Sequence, residues 1–310
     1  MNFQRTLKSE LTCQSVGLHS GRKINMTIKP AASDAGILLV RKDKNYKQKI
    51  KVSLDNVTDT TLATTIGNNG TAISTVEHIL SAFSGMGVDN AVVEVDGPEI
   101  PIMDGSALPF VEMLKKVGTC TQEKLKKYLI VKEPVYVSEG ESHAMFVPSS
   151  SFEITYKIEF GHPAIGVQSY HLKLSDETYA QEICSSRTFG FLKDVEYLQA
   201  RGLALGGSLK NAVILDETRI INKEGLRSPD EFVKHKILDA IGDLSLIGMP
   251  IVGHFIAYKS GHKLNAMLLK ELLEHQENWT TATVLDIQES YEELNTLDVP
   301  SYKILDAVHV

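Results

Sequence analysis

At 310 residues the chain is longer than a single hydrophobic core usually spans, so two domains are the first expectation. Hydrophobic residues make up 43% and charged residues 23%, ample apolar material for two cores, which excludes wholesale disorder. The net charge of -7, with no Lys/Arg block interleaved with aromatics, argues against nucleic-acid binding. No apolar run approaches the roughly 20 residues of a membrane-spanning helix, and the first residues lack the charged start and apolar core of a secretory signal. Cys13, Cys120 and Cys184 form no CxxC pair, which fits neither a disulfide framework nor a thiolate zinc site. These features point to a cytoplasmic protein in which any metal is held by histidine and carboxylate.

In chain order, the first 60 residues read as short strands at Gly17 to Gly21, Lys23 to Ile28, Ala35 to Arg41 and Ile50 to Leu54. Ser74-Thr75-Val76-Glu77 has capping-box spacing and opens a helix over about 75–84. A strand at Ala91 to Val95 and a helix over Ala107 to Val117 follow. The polar, lysine-rich stretch Gln122 to Lys127 reads as a linker. Strand-like material at Tyr128 to Val137 and Ala144 to Glu159 opens the second half. A second capping box, Ser228-Pro229-Asp230-Glu231, starts a helix that ends before Gly248 and Pro250. Ile251 to Tyr258 is then a strand and His262 to His275 a helix, so helix–strand–helix recurs at an offset of 157 residues, from His78 to His235. The expected fold is α+β: two similar domains, 1–125 and 126–280, from a duplicated sheet-plus-two-helices unit, with the active site between them. Each domain carries its own insertion. Residues 176–226 have no counterpart in the first half and include the helical stretch Asp194 to Ala200 and the glycines 202, 206 and 207. Residues 281–310 read as a tail.

Three constellations carry chemistry. His235 and Asp239 are spaced to share a metal on one helix face, and Asp243 continues that face, opposite a stripe of Val233, Ile237, Ala240, Ile241 and Leu244. The competing reading is a solvated face with pairs to Lys234 and Lys236. Glu77-His78 supplies a second histidine; the two helices facing each other would complete a His2Asp set and leave Glu77 beside a water as general base. Against that, Glu77 at the third position of its capping box should bond the Ser74 backbone N–H. His262, on a turn after a strand, becomes an imidazolium if Asp243 is its partner. His19, another turn histidine, has too little around it for an assignment. HExxH, a P-loop, GxGxxG after a strand and a nucleophile elbow are absent.

Ser74 to His78, Gly97 to Ser106, Arg187 to Phe191, His235 to Leu244 and Tyr258 to His262, five motifs in order between about residues 3 and 277, together resemble the LpxC family. Those enzymes are zinc-dependent UDP-3-O-acyl-N-acetylglucosamine deacetylases of lipid A synthesis. The resemblance implies that His78, His235 and Asp239 hold one zinc ion per chain, that Glu77 is the base, and that His262, oriented by Asp243, assists collapse of the tetrahedral intermediate. It places Thr188 at the oxyanion. Glu159 and Phe160 are similar to that family's uracil contact, and Lys236 and Lys259 lie where it meets diphosphate and sugar. Phe189 counts among the substrate contacts, and the insertion it opens, about 190–226, would line a hydrophobic acyl passage through Leu192, Val195, Gln199, Gly207 and Ser208, its glycines letting backbone approach the lipid. The family implies a monomer acting on UDP-3-O-acyl-N-acetylglucosamine. Two departures stand out: the tail is too short for the dehydratase-type domain some relatives carry, and Ala63 stands where others have a cysteine near the metal. A binding module without turnover, or a deacetylase of another acylated amino sugar, would carry the same motifs.

Overall fold

The computed structural model describes residues 3–43, 49–283 and 286. Its first sheet runs, in spatial order, Leu11–Val16, Lys23–Pro30, Ala91–Val95, Ile37–Arg41 and Lys49–Lys51. The two-residue period shows in Lys23–Pro30, where Ile24, Met26 and Ile28 are fully buried while Lys23 and Asn25 face out. Helices α1 (Glu77–Gly85) and α2 (Leu108–Val117) follow in the chain on either side of Ala91–Val95. The second sheet has Ile251–Tyr258 at its centre. That strand is antiparallel to Ser142–Val147 and parallel to both Phe152–Glu159 and Lys127–Val131. Val167–Lys173, Val135–Glu139 and Trp279–Thr283 complete it. Between the sheet strands come α3 (Asp176–Thr178) and α4 (Leu192–Ala200); α5 (Glu231–Leu244) and α6 (His262–Glu274) bracket Ile251–Tyr258. The α+β class is as expected, and in both halves a helix–strand–helix run sends its strand to the middle of a sheet.

α1 and α5 join the halves. Both are buried on nearly every side, each enclosed by layers on more than one side, so that even the His235, Asp239 and Asp243 face of α5 is covered. The buried apolar residues of both sheets form one cluster through these helices, instead of the two separate cores that length suggested. Gly242 makes the crossing close, since a Cβ there would lie 2.1 Å from the Glu77 carbonyl oxygen.

Several local expectations fail for tertiary reasons. Residues 17–21 form a turn closed by Gly17 N–H to Arg22 O at 2.8 Å between Leu11–Val16 and Lys23–Pro30, and the strands Phe3–Leu7 and Leu11–Val16 lie outside the segments read as strands. The stretch Gln122 to Lys127 is no linker: Thr119–Leu125 pairs with Phe3–Leu7, and Lys126 is buried against Asp89 at 2.9 Å. Both 128–137 and 144–159 split into two strands each. Trp279–Thr283 pairs with Lys127–Val131, so the tail begins as a sheet strand; the remainder of 281–310, Asp286 apart, lies outside the described residues.

Neither capping box forms. The Ser74 N–H goes to Pro98 O at 3.0 Å, and α1 starts after Val76 with no side-chain cap. The Glu231 carboxylate instead takes the Arg187 N–H and Nε at 3.0 and 2.8 Å and the Arg227 N–H at 2.6 Å. In both boxes N–H groups outside the box take the carboxylate that the local N–H would have used.

Candidate metal centre

Crossing α1 over α5 brings His78 from one half against His235 and Asp239 from the other. Asp239 Oδ1 lies 3.3 Å from His235 Nε2 and 3.6 Å from His78 Nε2, and the imidazole rings stand edge-on, 5.2 Å apart at 84°. One ligand atom from each of the three lies within 4.8 Å of the others, and all three residues are buried. The solvated-face reading of α5 therefore fails: His235 is 3% exposed, Asp239 4% and Asp243 1%, because α1 covers that side.

Two buried polar atoms in the trio, Asp239 Oδ1 and His78 Nδ1, have no hydrogen-bond partner among the described residues. Asp239 Oδ1 is buried and unsatisfied, a costly state for a carboxylate oxygen unless a cation meets it. His235 Nδ1 lies 3.1 Å from the Ser186 carbonyl oxygen, to which it donates, so Nε2 carries its lone pair toward Asp239. Burial pulls the His235 imidazole down to about 4, keeping it neutral. Burial alone would raise the Asp239 carboxyl, but His235 and the Lys236 ammonium, 2.8 Å from Oδ2, hold it well below the usual carboxylate range. Two imidazoles and one carboxylate, converging with an unsatisfied oxygen, fit a divalent ion of borderline softness such as zinc.

Glu77 and His262 flank this trio. Glu77 is 3% exposed; its Oε2 accepts the Thr64 N–H at 3.0 Å, and its Oε1 lies 3.9 Å from His262 Nε2. Burial pushes its carboxyl above the usual range, toward what a general base near neutrality needs. His262 is anchored from its other nitrogen, Nδ1 lying 2.8 Å from Asp243 Oδ2. Burial would lower its pKa, but Asp243 overrides that and raises it to about 9, so it is charged at neutral pH. Asp243 also accepts the Thr64 hydroxyl at 2.6 Å and Asn265 Nδ2 at 2.9 Å, and Ser260 Oγ donates to Asn265 Oδ1 at 2.7 Å.

Thr64, Asn265 and Ser186 escaped the sequence reading. Asn265, three residues after His262 on α6, could have been found from helical spacing. Thr64 gives no such signal, being 13 residues from Glu77 and 179 from Asp243. Left-handed backbone at non-glycine positions flanks these residues: Leu62, Thr75 and Lys259 have φ of 62°, 57° and 52°, a strained state tolerated where the surroundings over-determine it.

The remaining predicted residues divide into two groups. Lys236 touches the trio directly. Thr188 follows the buried Arg187–Glu231 pair; its N–H donates to Gly105 O at 2.7 Å and its carbonyl accepts from Val213 N at 2.8 Å. The Phe189 ring lies 6.2 Å from that of His235 and 5.6 Å from that of Phe160, so an aromatic row leads outward from the metal ligands. Glu159 and Lys259 meet at 3.4 Å near the ends of adjacent strands, with Tyr258 bonded to Glu159. On α4, Leu192, Val195 and Gln199 belong to a helix with no buried residue, and Leu192, Tyr197, Leu205 and Leu209 expose 45–58% of their surface. Gly207 and Ser208 are exposed in the loop beyond it. Gly206 has a protein reason: a Cβ there would lie 2.1 Å from Gly17 O, and its N–H and that of Leu205 bond the Leu18 and His19 carbonyls. That contact packs the insertion onto the 17–21 turn, where His19 Nδ1 lies 3.4 Å from the Ala204 N–H. A cavity of about 290 Å³ opens beside His262, lined also by Leu62, Ser142 and Lys259.

Comparison with known proteins identifies the family. Residues 4–274 match the family described as LpxC, UDP-3-O-acyl N-acetylglycosamine deacetylase. A UDP-3-O-acyl-N-acetylglucosamine deacetylase of Syntrophus aciditrophicus (strain SB) is 78% identical over the whole of both chains. Proteins of the same name from Myxococcus xanthus (strain DK1622) and Histophilus somni (strain 129Pt) are 49% and 48% identical, covering 87% and 92% of this chain and 86% and 95% of their own.

Proposed function

The chain belongs to the LpxC family, and from that membership we propose that it hydrolyses the N-acetyl group of UDP-3-O-acyl-N-acetylglucosamine, a step of lipid A biosynthesis, with one zinc ion per chain. The observation that carries the reading is the unsatisfied Asp239 Oδ1 between two imidazoles, with a raised carboxyl and a charged imidazole on its flank. His78, His235 and Asp239 would hold the zinc. When bound there, zinc supplies Lewis-acid polarisation of the amide carbonyl and acidifies water.

The chain's own residues do the rest. Glu77, held at Oε2 by the Thr64 N–H, takes a proton from the attacking water as its oxygen bonds the acetyl carbon. Thr188 offers its hydroxyl where negative charge develops on the carbonyl oxygen. His262, kept cationic and aimed by Asp243, gives a proton to the departing amine as the C–N bond breaks, and acetate and a glucosamine amine result. Lys236 and Lys259 suit the diphosphate and sugar, Glu159 and Phe160 the uracil. Phe189, with Leu192, Val195, Gln199, Gly207 and Ser208, lines the path of the acyl chain, and the exposed apolar side chains around α4 support that use.

We read the fold as two related domains, 1–125 and 126–280, meeting at the metal centre, and the protein as a cytoplasmic monomer. Three free cysteines support a reducing compartment, and no helix among the described residues is long and apolar enough to cross a membrane. Acetate release from UDP-3-O-acyl-N-acetylglucosamine, measured with chelator and after return of limiting zinc, tests the reading. Release that ignores chelator, or none with stoichiometric zinc, would overturn it.

A further inference from the structure

The outer face of the second sheet carries another convergence of ligand-type side chains. Phe152–Glu159 lies between Val167–Lys173 and Ile251–Tyr258, with Thr155 opposite His171 on one side and Glu153 opposite His254 on the other. Strand periodicity puts Glu153 and Thr155 on one face, and the pairing sets His171 and His254 on the same face. Their neighbours Ile154, Leu172 and Phe255 point into the core, so the sheet itself separates this group from the centre between α1 and α5.

The side chains converge. The His171 and His254 rings are 5.6 Å apart at 78°, and the Thr155 hydroxyl draws both inward, 3.0 Å from His171 Nδ1 and 2.8 Å from His254 Nε2. Glu153 Oε1 is fixed by the Ser149 and Ser151 hydroxyls, each at 2.9 Å, while Oε2 lies 3.8 Å from His171 Nε2. One ligand atom from each of Glu153, His171 and His254 falls within 4.8 Å of the others. Burial lowers the His254 pKa, which favours the neutral, ligating imidazole.

We propose that Glu153, His171 and His254 form a second zinc site, independent of the function assigned above. Two imidazoles and one carboxylate are a zinc ligand set that leaves the fourth tetrahedral position for water. Each ligand stands on a strand, so little backbone movement is needed to close the set. Among the described residues Val167–Lys173 pairs only with Phe152–Glu159, so an ion held here would fasten an edge strand to the two strands inboard of it.

The test starts from chain already carrying one zinc equivalent and adds zinc under equilibrium dialysis, with metal content read by atomic absorption. Wild type should take a second equivalent and melt at a higher temperature with it. The double variant His171→Ala/His254→Ala should keep only the first. Glu153→Gln, which retains an acceptor for Ser149 and Ser151, should weaken the second equivalent without altering the melting temperature of the one-zinc form, separating lost ligation from damaged folding. Anomalous diffraction at the zinc edge should place the second ion among the three side chains. A single equivalent in wild type, a second equivalent surviving the double variant, or a second anomalous peak elsewhere would each overturn the assignment.

Discussion

Replacing Glu77 with glutamine removes a proton acceptor and leaves nearly everything else in place. Glutamine still presents a carbonyl oxygen to the Thr64 N–H now held at 3.0 Å, and His262 keeps its closer partner, Asp243, at 2.8 Å. The carboxylate lost is one that burial already disfavours, so its removal relieves desolvation while costing a 3.9 Å attraction to His262. These effects oppose, and we expect a stability change of about 1 kcal/mol or less, a few degrees in melting temperature. Catalysis should suffer far more. A positioned general base contributes roughly 10²–10⁴-fold, or about 3–5.5 kcal/mol of barrier. The assay is acetate release at saturating substrate, with zinc content and thermal melting measured on the same preparations. A fall in kcat below tenfold with zinc retained would refute the base role. Loss of zinc or a collapse in stability would show Glu77 to be structural.

Asp239→Ala removes the only carboxylate of the trio and should leave the purified chain with little zinc; unchanged metal content would dismiss its ligand role. The pH profile of kcat/KM should be bell-shaped, its acid limb set by protonation of Glu77, which burial raises and the zinc charge lowers, and its alkaline limb at or below about 9 because the zinc charge opposes the His262 imidazolium. In the metal-free chain, His262 titrates near 9 folded against 6.5 ordinarily, so its stabilisation is full below about pH 6.5 and lost as pH rises through about 9. That shift corresponds to about 3 kcal/mol, readable by urea unfolding at either end, and His262→Gln should abolish this component of the pH dependence. Gly242→Ala puts a methyl 2.1 Å from the Glu77 carbonyl and must spread α1 from α5; we expect about 1–3 kcal/mol of destabilisation and a loss of zinc affinity, and unchanged melting would refute the close-crossing argument. Arg187→Met strands the buried Glu231 carboxylate beside the segment whose Ser186 carbonyl orients His235, at a cost of about 3–5 kcal/mol in chemical denaturation.

What could be read along the chain is whatever repeats at short range. Alternation in Lys23–Pro30, the β-branched run Ala91–Val95 and the helical spacing of His235 and Asp239 each need only a few consecutive residues, and each took the expected form. The candidate site residues were legible because chemistry restricts such groups to a few side-chain types at fixed intervals, and because the surrounding motifs resemble those of a family. The cap reading of Glu77 and the solvated reading of His235 and Asp239 were both locally reasonable, and both failed for one reason. Each judged a helix by its own neighbours, whereas α1 and α5 bury each other and leave the carboxylate of Glu77 to Thr64. Tertiary structure alone decided that the lysine-rich stretch before Tyr128 belongs to sheet strands, that Thr64 spans Glu77 and Asp243, and that Gly206 and Gly242 admit backbone from distant segments. Such contacts join residues tens to hundreds of positions apart. A local pattern carries no record of which distant atoms will fill the space beside it; the closing of one core around two crossed helices supplies it.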